Sequence, residues 1–250
     1  MAEDKFILYD IPSKDKAAGC WSLNPWKTRM ALNFKGIDYK TQWVEYPDIE
    51  PLLKSLGVVP PETDDPQPFT LPTARFPQDG KVIMDSVLIA DEIEKRYPAP
   101  EWPSLHLDDP VVAQAKAHLR PTAGALMPVI LPQVPKVILS DYSAEYFQRT
   151  RAEHFGMPLD EWSAKEGGED GEKAWERSKP GFALVAEALR EKEGPFYLGQ
   201  TVSYADFVFV GFLHFLRRAV GDKEFERLRE WPEVMALYDA CSKWLERADH

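Results

Sequence analysis

Ser22 and Asn24 lie two residues apart in Cys-Trp-Ser-Leu-Asn-Pro-Trp-Lys-Thr-Arg-Met-Ala-Leu-Asn-Phe-Lys-Gly, residues 20–36. The pattern predicts a helix over 24–35. Pro25 suits a first turn, where its missing N–H breaks no intrahelical bond. Trp26, Met30, Leu32 and Phe34 supply apolar contacts, and Gly36 suits the left-handed end. A hydroxyl, an amide and unpaired backbone N–H groups then meet at a helix N-terminus. Such a place holds an anion, and a thiolate is an anion. Taken alone, the same residues read first as a plain helix cap.

Two later pairs bear on the choice. Pro72 stands inside an apolar run, 69–76, that otherwise reads as a strand. Either the Leu71–Pro72 bond is cis and turns the Leu71 backbone outward toward an extended ligand, or this is an edge strand with an ordinary trans proline. Asp85-Ser86 ends one strand and opens a helix. Ser86 can cap with its hydroxyl, the N–H groups behind it can hold a carboxylate, and Asp85 can pair with an ammonium group. The pair also reads as a cap and nothing more. Ser203-Tyr-Ala-Asp206 has the form of a capping box, with Val202 and Phe207 as its hydrophobic staple. Its expected role is structural.

The elements that must position these residues follow in order. A short apolar strand over 6–9 leads through a loop to the helix at 24–35, and a second strand, 39–44, runs parallel to the first. A helical segment over 47–56 precedes a proline-rich acidic loop, 59–68. A hairpin of strands 69–76 and 81–84 turns at 77–80, and a helix covers 86–96. The order is β-α-β-α-β-β-α. A proline-rich linker, 98–109, separates this domain, 1–98, from a second, 110–250, in which nothing strand-like appears. Helices are expected over 111–120, 137–155, 172–193, 203–220 and 232–247. Pro121, Pro128, Pro132 and Pro135 break or kink the stretch after 120, and 156–171 reads as an acidic loop.

Length and composition restrict the function. A chain of 250 residues, 44% hydrophobic, builds a sizeable core, and its net charge of −11 opposes nucleic acid and anionic membrane surfaces. The most apolar run, 207–216, is too short to span a bilayer and contains His214. The start of the chain has no signal-peptide pattern. Two cysteines, Cys20 and Cys241, make neither a disulfide framework nor a zinc site, and the five histidines are scattered without ligand spacing. The expectation is a cytoplasmic, reducing compartment and no metal.

Together, the β-α-β-α-β-β-α half, the linker, the helical half, Leu71-Pro72, Asp85-Ser86 and Ser203-x-x-Asp206 resemble the glutathione transferases over nearly the whole chain. The run Ser22 to Gly36 is similar to the serine-type, etherase-related fungal class called FuA and to bacterial lignin β-etherases. The resemblance implies an α/β thioredoxin-like N-terminal domain, an all-α C-terminal domain and glutathione as co-substrate. It implies Ser22 as the catalytic hydroxyl and Asn24 as a second donor to the thiolate. Leu71 would offer its backbone to the cysteinyl unit beside a cis Pro72. Asp85 and Ser86 would hold the ammonium and carboxylate of the γ-glutamyl end. Cysteine-type relatives carry Cys directly before the helix proline, where this chain has Asn24. The family also implies a homodimer. Hydrophobic aromatic or phenolic electrophiles would be conjugated or have their ethers cleaved, against Trp21, Tyr142 and Tyr146. Two other functions fit the same sequence: a ligandin that stores aromatic metabolites, and a thiol oxidoreductase using Cys20.

Overall fold

The computed structural model describes residues 5–62 and 67–248. Residues 63–66 of the proline-rich loop, the polar start at 1–4 and His250 lie outside the described residues. The chain divides into two compact units. One runs through Leu105 and takes back the chain end from Trp244, and the other is His106–Lys243.

In the first unit a four-stranded sheet has the order β2-β1-β3-β4. Strand β1 (Phe6–Asp10) runs parallel to β2 (Tyr39–Trp43), with Phe6 opposite Tyr39. Strand β3 (Thr73–Arg75) is antiparallel to β1, with Tyr9 opposite Thr73. It is also antiparallel to β4 (Val82–Met84), with Thr73 opposite Met84. Helices α1 (Leu23–Lys35), α2 (Ile49–Ser55) and α3 (Ser86–Arg96) complete the unit, and α1 packs along α3. The core takes alternate residues of β1, Phe6 and Leu8, together with Ala74, Phe76, Met30, Ile89 and Ile93, all buried. This is the expected β-α-β-α-β-β-α order. The third strand is shorter than expected because it begins only after Pro72, which has no N–H for a ladder.

The second unit is helical. Helix α4 is one continuous run, Pro110–Ile130, so the expected break after Arg120 does not occur: Pro121 and Pro128 lie inside the helix. Each proline removes one backbone bond, but α4 packs along both α7 (Glu172–Arg190) and α8 (Tyr204–Val220), and that burial outweighs the loss. The approach of α4 to α7 depends on Gly181, where a Cβ would stand 2.1 Å from Thr122 Oγ1. The helix expected over 137–155 begins later, at α5 (Asp141–Phe155), after a π-turn, Val134–Ile138, and a Ser140 cap. The stretch 156–171 is not a plain loop. It contains α6 (Leu159–Gly167), with Asp160 and Glu161 in its first turn, where acids suit the helix dipole. A short α9 (Asp222–Phe225) follows α8. The last helix, α10 (Pro232–Ala240), stops seven residues before the expected end at Arg247.

Helix α8 is the buried centre of this unit, with Phe207, Phe209, Phe212 and Leu213 fully enclosed. Its capping box is formed as expected. The Asp206 carboxylate accepts from the Ser203 N–H at 2.7 Å, the Ser203 hydroxyl at 3.1 Å and the Tyr197 N–H at 2.9 Å. Burial pushes the Asp206 carboxyl up to about 6 even against these donors.

Candidate functional site

Helix α1 starts one residue earlier than its periodicity suggested, and Ser22 is its N-cap, with extended backbone (φ −79°, ψ 136°). The Ser22 carbonyl accepts the first helical bond, from the Trp26 N–H at 3.1 Å. Its side chain makes no capping bond, so the cap reading of the hydroxyl fails and that donor is left over for something else. Pro25 has no N–H to offer. The N–H groups of Leu23 and Asn24 have no partner among the described residues, as the first turn of a helix dictates. Asn24 is exposed and its Oδ1 accepts from Lys27 Nζ at 2.8 Å, which leaves its Nδ2–H groups as the free side. A hydroxyl, an amide and two backbone donors therefore stand together at the positive end of a thirteen-residue helix.

The loop before Ser22 is held from behind. Trp21 donates its indole N–H to the Pro12 carbonyl and Trp26 donates to the Cys20 carbonyl, both at 3.2 Å. Beneath them lies a charge pair that the sequence reading did not find. Arg29 of α1 meets the Asp10 carboxylate through Nε at 3.0 Å and a terminal nitrogen at 2.9 Å, and both side chains are fully buried. Another Arg29 bond, at 2.9 Å, goes to Thr41 Oγ1, so the pair ties α1 to β1 and β2. The available signal was faint: an acid directly after an apolar strand, and an arginine on the apolar side of a helix.

Cys20 is completely buried. Burial, then the Asp10 carboxylate, pushes its thiol well above the ordinary range, so it is a protonated, enclosed group at neutral pH. That removes the basis for thiol exchange at Cys20.

The second cluster lies at the same end of the sheet. Register places Thr73 beside Tyr9 and Met84, so the segment before β3 meets the ends of β1 and β4. The Leu71–Pro72 bond is cis. The Pro72 carbonyl accepts from the Asp85 N–H at 3.2 Å, while the N–H and C=O of Leu71 have no partner among the described residues. The cap of α3 is Asp85, where Ser86 was expected. The reason is conformational: an N-cap needs non-helical backbone, which Asp85 has (φ 88°, ψ 126°), whereas Ser86 is already the first helical residue and is buried. Asp85 Oδ1 accepts from the N–H groups of Val87 and Leu88 at 2.8 and 3.3 Å, which leaves Oδ2 outward on an exposed residue. A non-glycine residue at such a φ costs about 1–3 kcal/mol and is found where a site holds it.

Of the aromatic candidates, Trp21 is 2% exposed and packs beside Tyr46, so its ring is interior. Tyr142, 54% exposed, and Tyr146, half-buried beneath the Arg149 guanidinium, are one turn apart on α5. Among the described residues no group of three or more His, Cys, Asp or Glu could hold a metal ion, and no helix is long and apolar enough to cross a membrane.

Comparison with known proteins covers both units. Residues 21–96 match the family model described as Glutathione S-transferase, N-terminal domain, and residues 113–244 match Glutathione S-transferase, C-terminal domain. The chain is 35% identical to Glutathione S-transferase-like protein ustS of Aspergillus flavus, over 96% of this chain and 89% of that protein. It is also similar to a solved glutathione S-transferase of Ceriporiopsis subvermispora, in complex with glutathione. There the identity is 35% and the TM-score 0.86, over 98% of this chain and all of that one. The glutathione transferase GSTFuA2 of Phanerochaete chrysosporium is 30% identical with a TM-score of 0.85, over 98% of this chain and 99% of that one.

Proposed function

We propose a function that proceeds from one fact: the chain belongs to the glutathione S-transferase family. It acts as a serine-type transferase with glutathione as co-substrate. The observation that carries this is the unengaged Ser22 hydroxyl at the start of α1. The cysteinyl sulfur would lie there, with Ser22 as first donor and the Asn24 amide as second. The unpartnered Leu71 backbone would pair with the cysteinyl unit. Asp85 Oδ2 would face the γ-glutamyl ammonium, and the α3 N-terminus at Ser86 its carboxylate.

A thiol of ordinary pKa, about 8.5, is only about 3% ionised at pH 7; a drop of two units makes it roughly 75% ionised and needs about 2.7 kcal/mol. One hydrogen bond to a charged acceptor contributes about 1.5–3 kcal/mol, and the helix end adds about 0.3–1. One hydroxyl therefore suffices. The thiol proton leaves to solvent, and the sulfur forms a bond to an electrophilic carbon. The bond from that carbon to the leaving group breaks, and the electron pair departs with it. In ether cleavage the leaving group is an alkoxide or phenoxide. Hydrophobic aromatic or phenolic electrophiles are the substrate class this reading assigns.

The assembly is a homodimer in a reducing cytoplasm. The family resemblance is what supports this, and light scattering at micromolar concentration tests the mass. Ser22→Ala tests the chemistry. Turnover should fall tenfold or more, by analogy with loss of one oxyanion donor at about 10²–10³, with little change in glutathione affinity by calorimetry. Unchanged turnover would move the role to Asn24 or the backbone.

A further inference from the structure

We propose that residues 244–248 form a strap that positions the Ser22 hydroxyl by holding the Cys20 peptide. The proposal rests on Ser22 being the thiolate donor.

The strap is anchored on α1 and β2. Asn33 Nδ2 donates to the carbonyls of Trp244 and Arg247 at 2.8 and 3.2 Å. The Tyr39 hydroxyl donates to the Arg247 carbonyl at 3.2 Å. The Arg247 guanidinium reaches Asp38 Oδ1 at 2.6 Å and the Tyr39 carbonyl at 2.7 Å, and lies 4.1 Å from the Tyr39 ring centre. The Trp244 ring meets Phe34 edge-on at 5.3 Å.

From that anchorage the strap reaches the loop before Ser22. The Cys20 N–H donates to the Ala248 carbonyl at 3.0 Å, while the Cys20 carbonyl accepts from the Trp26 indole. Both backbone groups of a fully buried residue, two positions before Ser22, are thus fixed to parts that are themselves fixed to α1. Gly19 makes the approach possible. It has φ +61°, and a Cβ there would stand 2.8 Å from the Ala248 Cβ. With the strap released, the Cys20 peptide keeps only its indole partner and Ser22 gains freedom at the helix start. A donor misplaced by about 1 Å can cost up to 10²-fold in rate.

The test uses the full chain. Asn33→Ala/Arg247→Ala releases the anchorage, and Gly19→Ala wedges strap from loop. The readouts are the thiol pKa of bound glutathione, by thiolate ultraviolet absorbance against pH, with kcat and calorimetric affinity. The expected result in each is a thiol pKa raised by roughly half to one unit, kcat lowered about three- to tenfold, and affinity within about twofold. In a Ser22→Ala background the same changes should add nothing, because coupled residues are not additive. Unchanged thiol pKa in folded strap variants, with Ser22→Ala shifting it, overturns the strap alone, as does full additivity with Ser22→Ala. Ser22→Ala leaving the pKa unmoved overturns the donor assignment and the strap with it. If the double variant does not fold, Arg247→Ala alone decides, because a Cβ at Gly19, with φ +61°, also strains the loop directly.

Discussion

His214 is neutral in the fold, and that makes the helical unit acid-sensitive in a measurable way. It sits on the buried helix α8, with Nδ1 2.9 Å from the Tyr238 hydroxyl. Burial, with the Arg218 and Arg217 guanidinium groups beside it, depresses its pKa from 6.5 to about 4. Above pH 6.5 the imidazole is neutral folded or unfolded, and its contribution is intact. As pH falls toward 4 the unfolded chain takes up a proton that the folded one refuses, so stability is lost. The full span of about 2.5 units corresponds to roughly 3 kcal/mol, most of it lost by pH 4.5. His214→Gln keeps a partner for Tyr238 and removes the titration. At pH 7.5 the variant should melt slightly below the wild type. By pH 4.5 it should have gained roughly 5–10 °C relative to it, at about 2–4 °C per kcal/mol for a chain of this size. Asp206 acts with the opposite sign. With its pKa raised to about 6, its contribution is present below 3.8 and lost as pH rises through 6, and it is the same in both proteins. Thermal melts of the two proteins across pH 4.5–7.5 decide the matter. Parallel melting curves would mean that His214 titrates alike in both states, and the reasoning would be refuted.

Asp85→Asn keeps a cap on α3 but removes the charge; glutathione affinity should fall about 10- to 100-fold by calorimetry, the loss of a charged hydrogen bond of roughly 1.5–3 kcal/mol, and equal affinity would remove Asp85 from the ligand. Arg29→Met leaves the Asp10 carboxylate buried without its cation and should cost about 3–5 kcal/mol in denaturant unfolding. The double change Asp10→Leu/Arg29→Met should recover much of that loss. Gly181→Ala forces a Cβ against Thr122 and should destabilise the helical unit by about 1–3 kcal/mol, read as a lower denaturant midpoint.

The amino-acid sequence by itself carried much of what depends on near neighbours along the chain. Alternation and helical period gave the strand and helix order of the first unit. Gly36 ended α1 in the left-handed conformation, and Ser203 with Asp206 capped α8. Ser22, Asn24, Leu71, Pro72 and Asp85 stood out as site candidates for the same reason, since each stands at the end of an element that local pattern defines. Tertiary structure decided what depends on residues far apart in sequence. Pro121 and Pro128 argue against a helix locally, yet α4 continues, because packing against α7 and α8 outweighs two missing backbone bonds. Whether Ser22 caps with its side chain was likewise open, and Ser86 rather than Asp85 was expected to cap α3, because all of these residue types can cap. The fold leaves the Ser22 hydroxyl out of the cap and commits the Asp85 carboxylate to one. Asp10 and Arg29 are nineteen residues apart, and Cys20 meets Ala248 across almost the entire chain. No periodicity in a linear pattern encodes such contacts. They exist because the sheet register and the return of the chain end bring those groups to one place, where burial makes each of them matter.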